Sequence, residues 1–226
     1  MGEITENPRL REQRFVFADR HDAGRQLGAL LRTLPGILDP LVLAVPAGGV
    51  PVGREVAAAL GAPLSLAIVR KIRIPGSTES GFGAVTWDGQ VLINEPLRAA
   101  LGLSSREVEA AVAQTRENVS ARVALFGRGR PVPEMAEKTV ILTDDGLASG
   151  FTMLAAIRAV RPRNPARVVV AVPTSSASSA ALVSREADRV VCLNIRSGRT
   201  FAVADAYRVW YDLEDREVLA ELAGAP

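Results

Sequence analysis

A chain of 226 residues, 48% of them hydrophobic, is long enough for one substantial core and fits a single α/β domain spanning residues 1–226. Its 27 basic and 25 acidic residues nearly cancel, to a net charge of +2, so composition makes no case for a nucleic-acid partner. With one cysteine, Cys192, and one histidine, His21, the chain has no disulfide and too little for a zinc cage or a Ser-His or Cys-His catalytic pair.

Residues 1–13 read as a frayed end without the apolar segment of a signal peptide. No run approaches the roughly 18 apolar residues of a membrane span, and the expected location is the cytoplasm. "DRHDAGRQL" at 19–27 reads as the start of an amphipathic helix capped by Asp22, with His21 on its surface or in its cap. Apolar runs rich in Val and Ile follow at 41–45, 64–69, 139–143, 167–172 and 189–193. Continuous runs without alternation suit parallel strands covered on both faces. Helical patterns at about 50–60, 150–160 and 175–186 lie between them, so the fold class is a doubly wound, mostly parallel sheet with flanking helices. Asp88-Gly89 predicts a β-hairpin over about 83–87 and 90–94.

A longer helix is expected at 104–125. Ser104 and Glu107 have capping-box spacing, and Val108, Val112, Thr115, Val119 and Val123 form one stripe. That stripe packs on the sheet or joins two copies as a homodimer. "FGRGRPVPE" at 126–134 breaks both periods and reads as a loop, and a short helix is expected near the C-terminus. Cys192, inside an apolar run, is expected to be buried and inert.

The chemistry concentrates in "VILTDDGLASGFTM" at 140–153. Small residues between a strand and a helix let backbone N–H groups converge on an anion, and the helix N-terminus adds favourable partial charge. Ala148, Ser149, Gly150, Phe151 and Thr152 could thus cup a phosphate monoester. Two carboxylates, Asp144 and Asp145, would repel a second phosphate but accept hydrogen bonds from neutral hydroxyls. A ribose 5-phosphate satisfies both halves; read alone, the two acids could equally cap a turn and the following helix.

This stretch resembles the phosphoribosyl pyrophosphate motif of type I phosphoribosyltransferases. The resemblance implies that Asp144 and Asp145 bind the ribose 2- and 3-hydroxyls, touching magnesium only through those hydroxyls or water, and that residues 148–152 bind the 5-phosphate. It also implies a pyrophosphate loop after the first sheet strand, and "LVLAVPAGGVPVG" supplies Ala47, Gly48 and Gly49 there. Family members often carry Arg where Ala47 stands. Gly48 and Gly53 have Walker A spacing, but Arg54-Glu55 replaces the Lys-Ser/Thr an NTPase needs, and the loop lacks the Gly-x-Gly-x-x-Gly spacing of a dinucleotide site.

Arg70, Lys71 and Arg73 follow the next apolar run. Read alone they are a solvated basic turn; at a strand carboxyl end, level with the other loops, they are placed to stabilise a departing pyrophosphate. Pro75 to Gly83 is expected to form a mobile flap, with Glu79 facing solvent. The resemblance covers about 40–195 and is closest to bacterial proteins described only as predicted phosphoribosyltransferases, whose acceptor is unassigned.

The implied reaction is magnesium-dependent transfer of the phosphoribosyl group from phosphoribosyl pyrophosphate to a nitrogenous acceptor, through positioning and charge stabilisation without a covalent nucleophile. Asp144, Asp145 and Lys71 are the implied catalytic residues. Purine-salvage members often have Asp where Ala148 stands here, which argues against hypoxanthine or guanine as acceptor. A hood is expected from about 14–25 and 196–226, where Phe201, Tyr207, Trp210 and Tyr211 either stack on a ring or staple the chain end to the core. Thr174 and Ser175 are expected to cap the next helix. The alternative is a non-catalytic regulatory protein on the same fold that senses phosphoribosyl pyrophosphate or nucleotides.

Overall fold

The computed structural model describes residues 1–75, 81–127, 133–198 and 200–224. The strands are β1 (Glu3–Glu6), β2 (Pro40–Ala44), β3 (Leu64–Leu66), β4 (Val69–Arg73), β5 (Gly81–Thr86), β6 (Val91–Ile93), β7 (Thr139–Thr143), β8 (Arg167–Ser176) and β9 (Arg189–Arg196). The helices are α1 (Arg20–Thr33), α2 (Gly49–Leu60), α3 (Glu95–Ala100), α4 (Ser105–Gly127), α5 (Phe151–Val160), α6 (Ala177–Val183) and α7 (Asp215–Ala223). Six strands form one parallel sheet in the order β1-β9-β8-β7-β2-β3, and β4-β5-β6 form a separate antiparallel sheet.

The apolar runs are continuous because the parallel sheet is covered on both faces. On one face Leu41, Leu43, Val140, Leu142, Val168, Val170 and Val190 pack under Met153, Leu154, Ile157 and Val160 of α5. On the other, Val42, Ile141, Val169, Ala171 and Val191 meet Leu27 and Leu31 of α1 and Val52 and Val56 of α2. Alternate residues of a strand point to opposite faces, so each run must be apolar at every position. Cys192 is fully buried between these layers, and burial pushes its thiol up to about 12.

Several sequence expectations are corrected. Residues 64–69 are not one strand. The chain leaves the main sheet after Leu66, and Val69 pairs antiparallel with Thr86. Ala67 and Val69 are nonetheless buried, and an apolar run shows burial without showing where one strand yields to another. Arg70, Lys71 and Arg73 therefore lie on β4, not in a turn; of the expected flap, Gly81–Gly83 begin β5, and residues 76–80, with Glu79, lie outside the described residues.

The N-terminus is not frayed: Glu3–Glu6 extend the sheet beside β9, and the Asn194 side chain donates to the Leu10 and Gln13 carbonyls. Asp19, not Asp22, caps α1 by accepting from the Asp22 N–H at 2.8 Å. Finally Ser176, not Thr174 or Ser175, caps α6, because β8 runs further than the apolar run suggests and carries Thr174 into a buried hydrogen bond with Asn194.

The hairpin and the capping box at Ser104 and Glu107 occur as expected. Helix α4 packs on β4 and β5, with Val119 and Phe126 buried against Ile72, Phe82 and Val85.

Candidate active site

A cleft of about 430 Å³ opens at the carboxyl ends of β7, β2 and β3, where a parallel sheet places its ligands. Strand β7 delivers Asp144 and Asp145 to its wall, the turn after β2 delivers Val45 to Gly48, and β4 delivers Val69, Arg70, Lys71 and Arg73. Thr152 enters from the first turn of α5. Of the residues expected from sequence, Ala47, Gly48, Arg70, Lys71, Arg73, Asp144, Asp145 and Thr152 thus share one cleft. Gly49, Ala148, Ser149, Gly150 and Phe151 adjoin those residues without lining it.

The two loops approach closely enough to require glycine. A Cβ on Gly48 would stand 1.8 Å from Asp145 Oδ2, and one on Gly49 would stand 2.9 Å from both Asp144 Cα and the Thr143 carbonyl oxygen. The Gly49 neighbours are backbone and cannot rotate away. Gly49→Ala is expected to cost about 1–3 kcal/mol through backbone displacement, which lowers the melting temperature by several degrees and is read by thermal unfolding. The Pro46–Ala47 peptide in this turn is cis.

Gly150 precedes α5 with φ of 75°, a left-handed conformation that suits glycine, and no side-chain cap closes the helix start. The Phe151 N–H makes a long 3.5 Å contact to Ser149 Oγ, while the Thr152 and Met153 N–H groups have no protein acceptor among the described residues and are available to an anion. Ser179 fixes the approach to this turn by donating to the Ala148 carbonyl at 2.6 Å. Ala148 and Ser149 are exposed.

The acids are held by an unexpected partner. Arg20, 7% exposed in the first turn of α1, donates from Nε to Asp145 Oδ2 at 2.9 Å and from Nη1 to the Tyr211 carbonyl at 2.9 Å. Its guanidinium lies 3.9 Å from the Trp210 ring centroid. The Asp145 N–H donates to Asp144 Oδ1 at 2.8 Å, and the buried Tyr207 hydroxyl donates to the Asp145 carbonyl at 2.6 Å. Burial raises the pKa of both acids; the Asp145 charge adds to the rise at Asp144, while Arg20 opposes it at Asp145. The two carboxyls also share a side-chain hydrogen bond, and both line the cleft.

The aromatics of 201–211 mostly hold the chain end down. Tyr207 packs on Phe17 at 5.6 Å and on Trp210 at 5.1 Å, and Phe201 lies under Arg196; Tyr211 is exposed. Trp210 is thereby held between Tyr207 and Arg20. His21 is neither a cap nor a free surface residue: its ring nitrogens sit 2.9 Å from Glu55 and 3.0 Å from Glu221, tying α1 to α2 and α7.

Sequence reading named Trp210 as a candidate but missed Arg20, Arg122, Asp212 and Leu213 as individual cleft residues. Arg20 and Asp145 are 125 positions apart, and no local pattern links them. Arg122 sits on the helix read as packing, among charges that look solvated. The described residues contain no cluster of three or more His, Cys, Asp or Glu able to hold a metal, and no helix among them is long and apolar enough to cross a membrane.

Comparison with known proteins places this cleft in context. A family model for the phosphoribosyl transferase domain matches residues 29–206. Proteins from two strains of Mycobacterium tuberculosis, whose names describe them provisionally as phosphoribosyl transferases, are 37% identical over 207 residues. That alignment takes in 92% of this chain but 46% of theirs, so the chain spans about half the length of the curated relatives it matches. The crystal structure of TT1426 from Thermus thermophilus superposes with a TM-score of 0.75 at 36% identity, covering 93% of this chain and 98% of that one. The parallel sheet, the glycine turn against two acids and the matched span agree: the chain belongs to the phosphoribosyl transferase domain family.

Proposed function

We propose that this chain transfers the 5-phosphoribosyl group of phosphoribosyl pyrophosphate to a nitrogenous acceptor, a nucleobase or related heterocycle, and releases pyrophosphate. The observation that carries the proposal is the meeting of three chemically distinct surfaces in one cleft: a pair of acids, an open helix N-terminus, and a glycine turn facing cations. The helix start suits the 5-phosphate, and the carboxyls of Asp144 and Asp145 in the cleft suit the ribose hydroxyls. The backbone N–H groups of Ala47 and Gly48 with Arg70, Lys71 and Arg73 suit the pyrophosphate, the Gly49 N–H being already bonded to the Val45 carbonyl.

The chemistry then needs no covalent nucleophile. Fixed donors and cations stabilise charge as it develops on the departing pyrophosphate, and the acids hold the ribose while its anomeric carbon becomes electron-poor. Magnesium, which retains several waters and binds through few carboxylates, would arrive with the donor and neutralise part of the pyrophosphate charge. The paired acids fit this as outer contacts through ribose hydroxyls or water; with Arg20 on Asp145, they do not form a cage of their own.

The test is to incubate the protein with phosphoribosyl pyrophosphate, magnesium and a panel of purines, pyrimidines and related heterocycles, and to measure pyrophosphate release. Turnover with one class of acceptor is the expected result. Tight donor binding without turnover for any acceptor would instead identify a regulatory protein that senses the donor, a reading favoured by the uncharged side chains at Ala47 and Ala148.

A further inference from the structure

Arg122 lies near the end of α4 and lines the cleft beside Arg70, Lys71 and Arg73. Its guanidinium is held from two sides. Nη2 donates to Asp215 Oδ1 at 2.9 Å, at the start of α7, and the head group stands 5.4 Å from the Phe126 ring centroid. Nη1, by contrast, is buried and has no acceptor among the described residues. A buried charged donor without an acceptor is costly, but Nη1 itself is closed off; a ligand oxygen would meet the part of Arg122 that lines the cleft, its side chain being 21% exposed.

The surrounding charges say what kind of oxygen. Arg70 is half-buried, and both its burial and the positive charges of Arg122 and Arg73 push its pKa down. Asp215, the carboxylate that offsets them, is already bonded to Arg122. Arg70, Arg73 and Arg122 thus stand close enough to repel one another, with Asp215 offsetting them at Arg70. In the nearby turn Ala47 and Gly48 offer backbone N–H groups but no charged side chain, and Ala47 packs in the same cluster as Val119, Phe126 and Val218 of α4 and α7. In the sheet order, β2 and β3 lie on the opposite side of β7 from β8, so these cations stand beyond the glycine turn as seen from the acids.

We propose that Arg122, together with Arg70, binds the terminal phosphate of the pyrophosphate group, and that Asp215 is its positioning residue. This rests on the phosphoribosyl-transfer reading and adds to it a residue from α4, a helix that otherwise only packs. Arg122 then supplies from outside the parallel sheet a positive charge that the glycine turn lacks. It acts on the leaving group without contacting the ribose or the acceptor.

The experiment compares two probes by calorimetry: inorganic pyrophosphate with magnesium, and ribose 5-phosphate, which carries no pyrophosphate. Arg122→Ala is expected to weaken pyrophosphate binding about tenfold or more and ribose 5-phosphate binding less than about twofold. Arg122→Lys should recover part of the loss, because charge returns without the two-pronged geometry. Asp215→Asn should cause a smaller, equally selective loss. Unchanged pyrophosphate affinity in folded Arg122→Ala overturns the proposal, and so does an equal loss of both probes, which would mark undocking of α7. If the alanine variant does not fold, the same split between probes is read from Arg122→Lys. Wild-type protein that binds neither probe would sink the phosphoribosyl-transfer reading itself, a result distinct from both.

Discussion

Asp144→Asn combined with Asp145→Asn is expected to weaken binding of phosphoribosyl pyrophosphate by roughly ten- to a hundredfold, about 1.5–3 kcal/mol. A hydrogen bond to a charged acceptor contributes about 1.5–3 kcal/mol, and roughly half of that remains when the acceptor is a neutral amide oxygen. Two such bonds to a ribose diol account for the figure. Asparagine keeps the shape of each side chain, and its carbonyl can still accept from Arg20 Nε and the Asp145 N–H, so the fold should survive. Calorimetry with the donor and magnesium gives the affinity, and inorganic pyrophosphate, which has no diol, serves as the control. A double variant that binds the donor like wild type would remove the acids from the ribose site.

Arg20→Ala should lower stability by about 3 kcal/mol at neutral pH, because it leaves Asp145 in a largely dry site without its cation. Asp145 is 14% exposed and Arg20 7%, so solvent screens the pair little. For a chain of this size the melting temperature would fall by roughly 6–10 °C. The pH dependence separates charge from packing. Burial already holds both acids above their ordinary range, and Arg20 pulls Asp145 back down. Without Arg20 the folded-state pKa of Asp145 rises further above its unfolded value. A group raised in this way binds more protons in the folded state, so its favourable contribution is complete below the unfolded pKa and is lost as pH rises through the folded one.

The deficit of the variant should therefore be small in acid and grow towards neutrality. Melting curves of both proteins across that range check this. A deficit that does not change with pH would show that Arg20 acts through its stack on Trp210 and its bond to the Tyr211 carbonyl, and not through charge.

The legible parts of this molecule were those encoded within about 15 residues. The strand, acids and helix start at 139–153 are one local unit, and the structure delivers them as β7, the cleft acids and α5. The glycine turn after β2 could be read for the same reason. Its need for glycine at 48 and 49 could not, since the atoms that crowd those positions belong to residues 143–145. Likewise "IVRKIR" shows cations near a strand end, but only the pairing of Val69 with Thr86 turns them into a second sheet. Arg20 and Arg122 were illegible: each looks like an ordinary helix-surface charge until α1 and α4 are docked.

The bonds that converge on Asp145 also bear on how the protein reaches its working form. Arg20 reaches it across 125 positions, Tyr207 across 62, and Arg20 in turn meets Tyr211 across 191. Contacts with such separations close long loops and pay that entropy before any other part of the site rewards it. The β7–α5 unit can form early, from neighbours in sequence. Arg20, from near one end of the chain, then closes on the Asp145 carboxylate, and Tyr207, from near the other, closes on its backbone carbonyl.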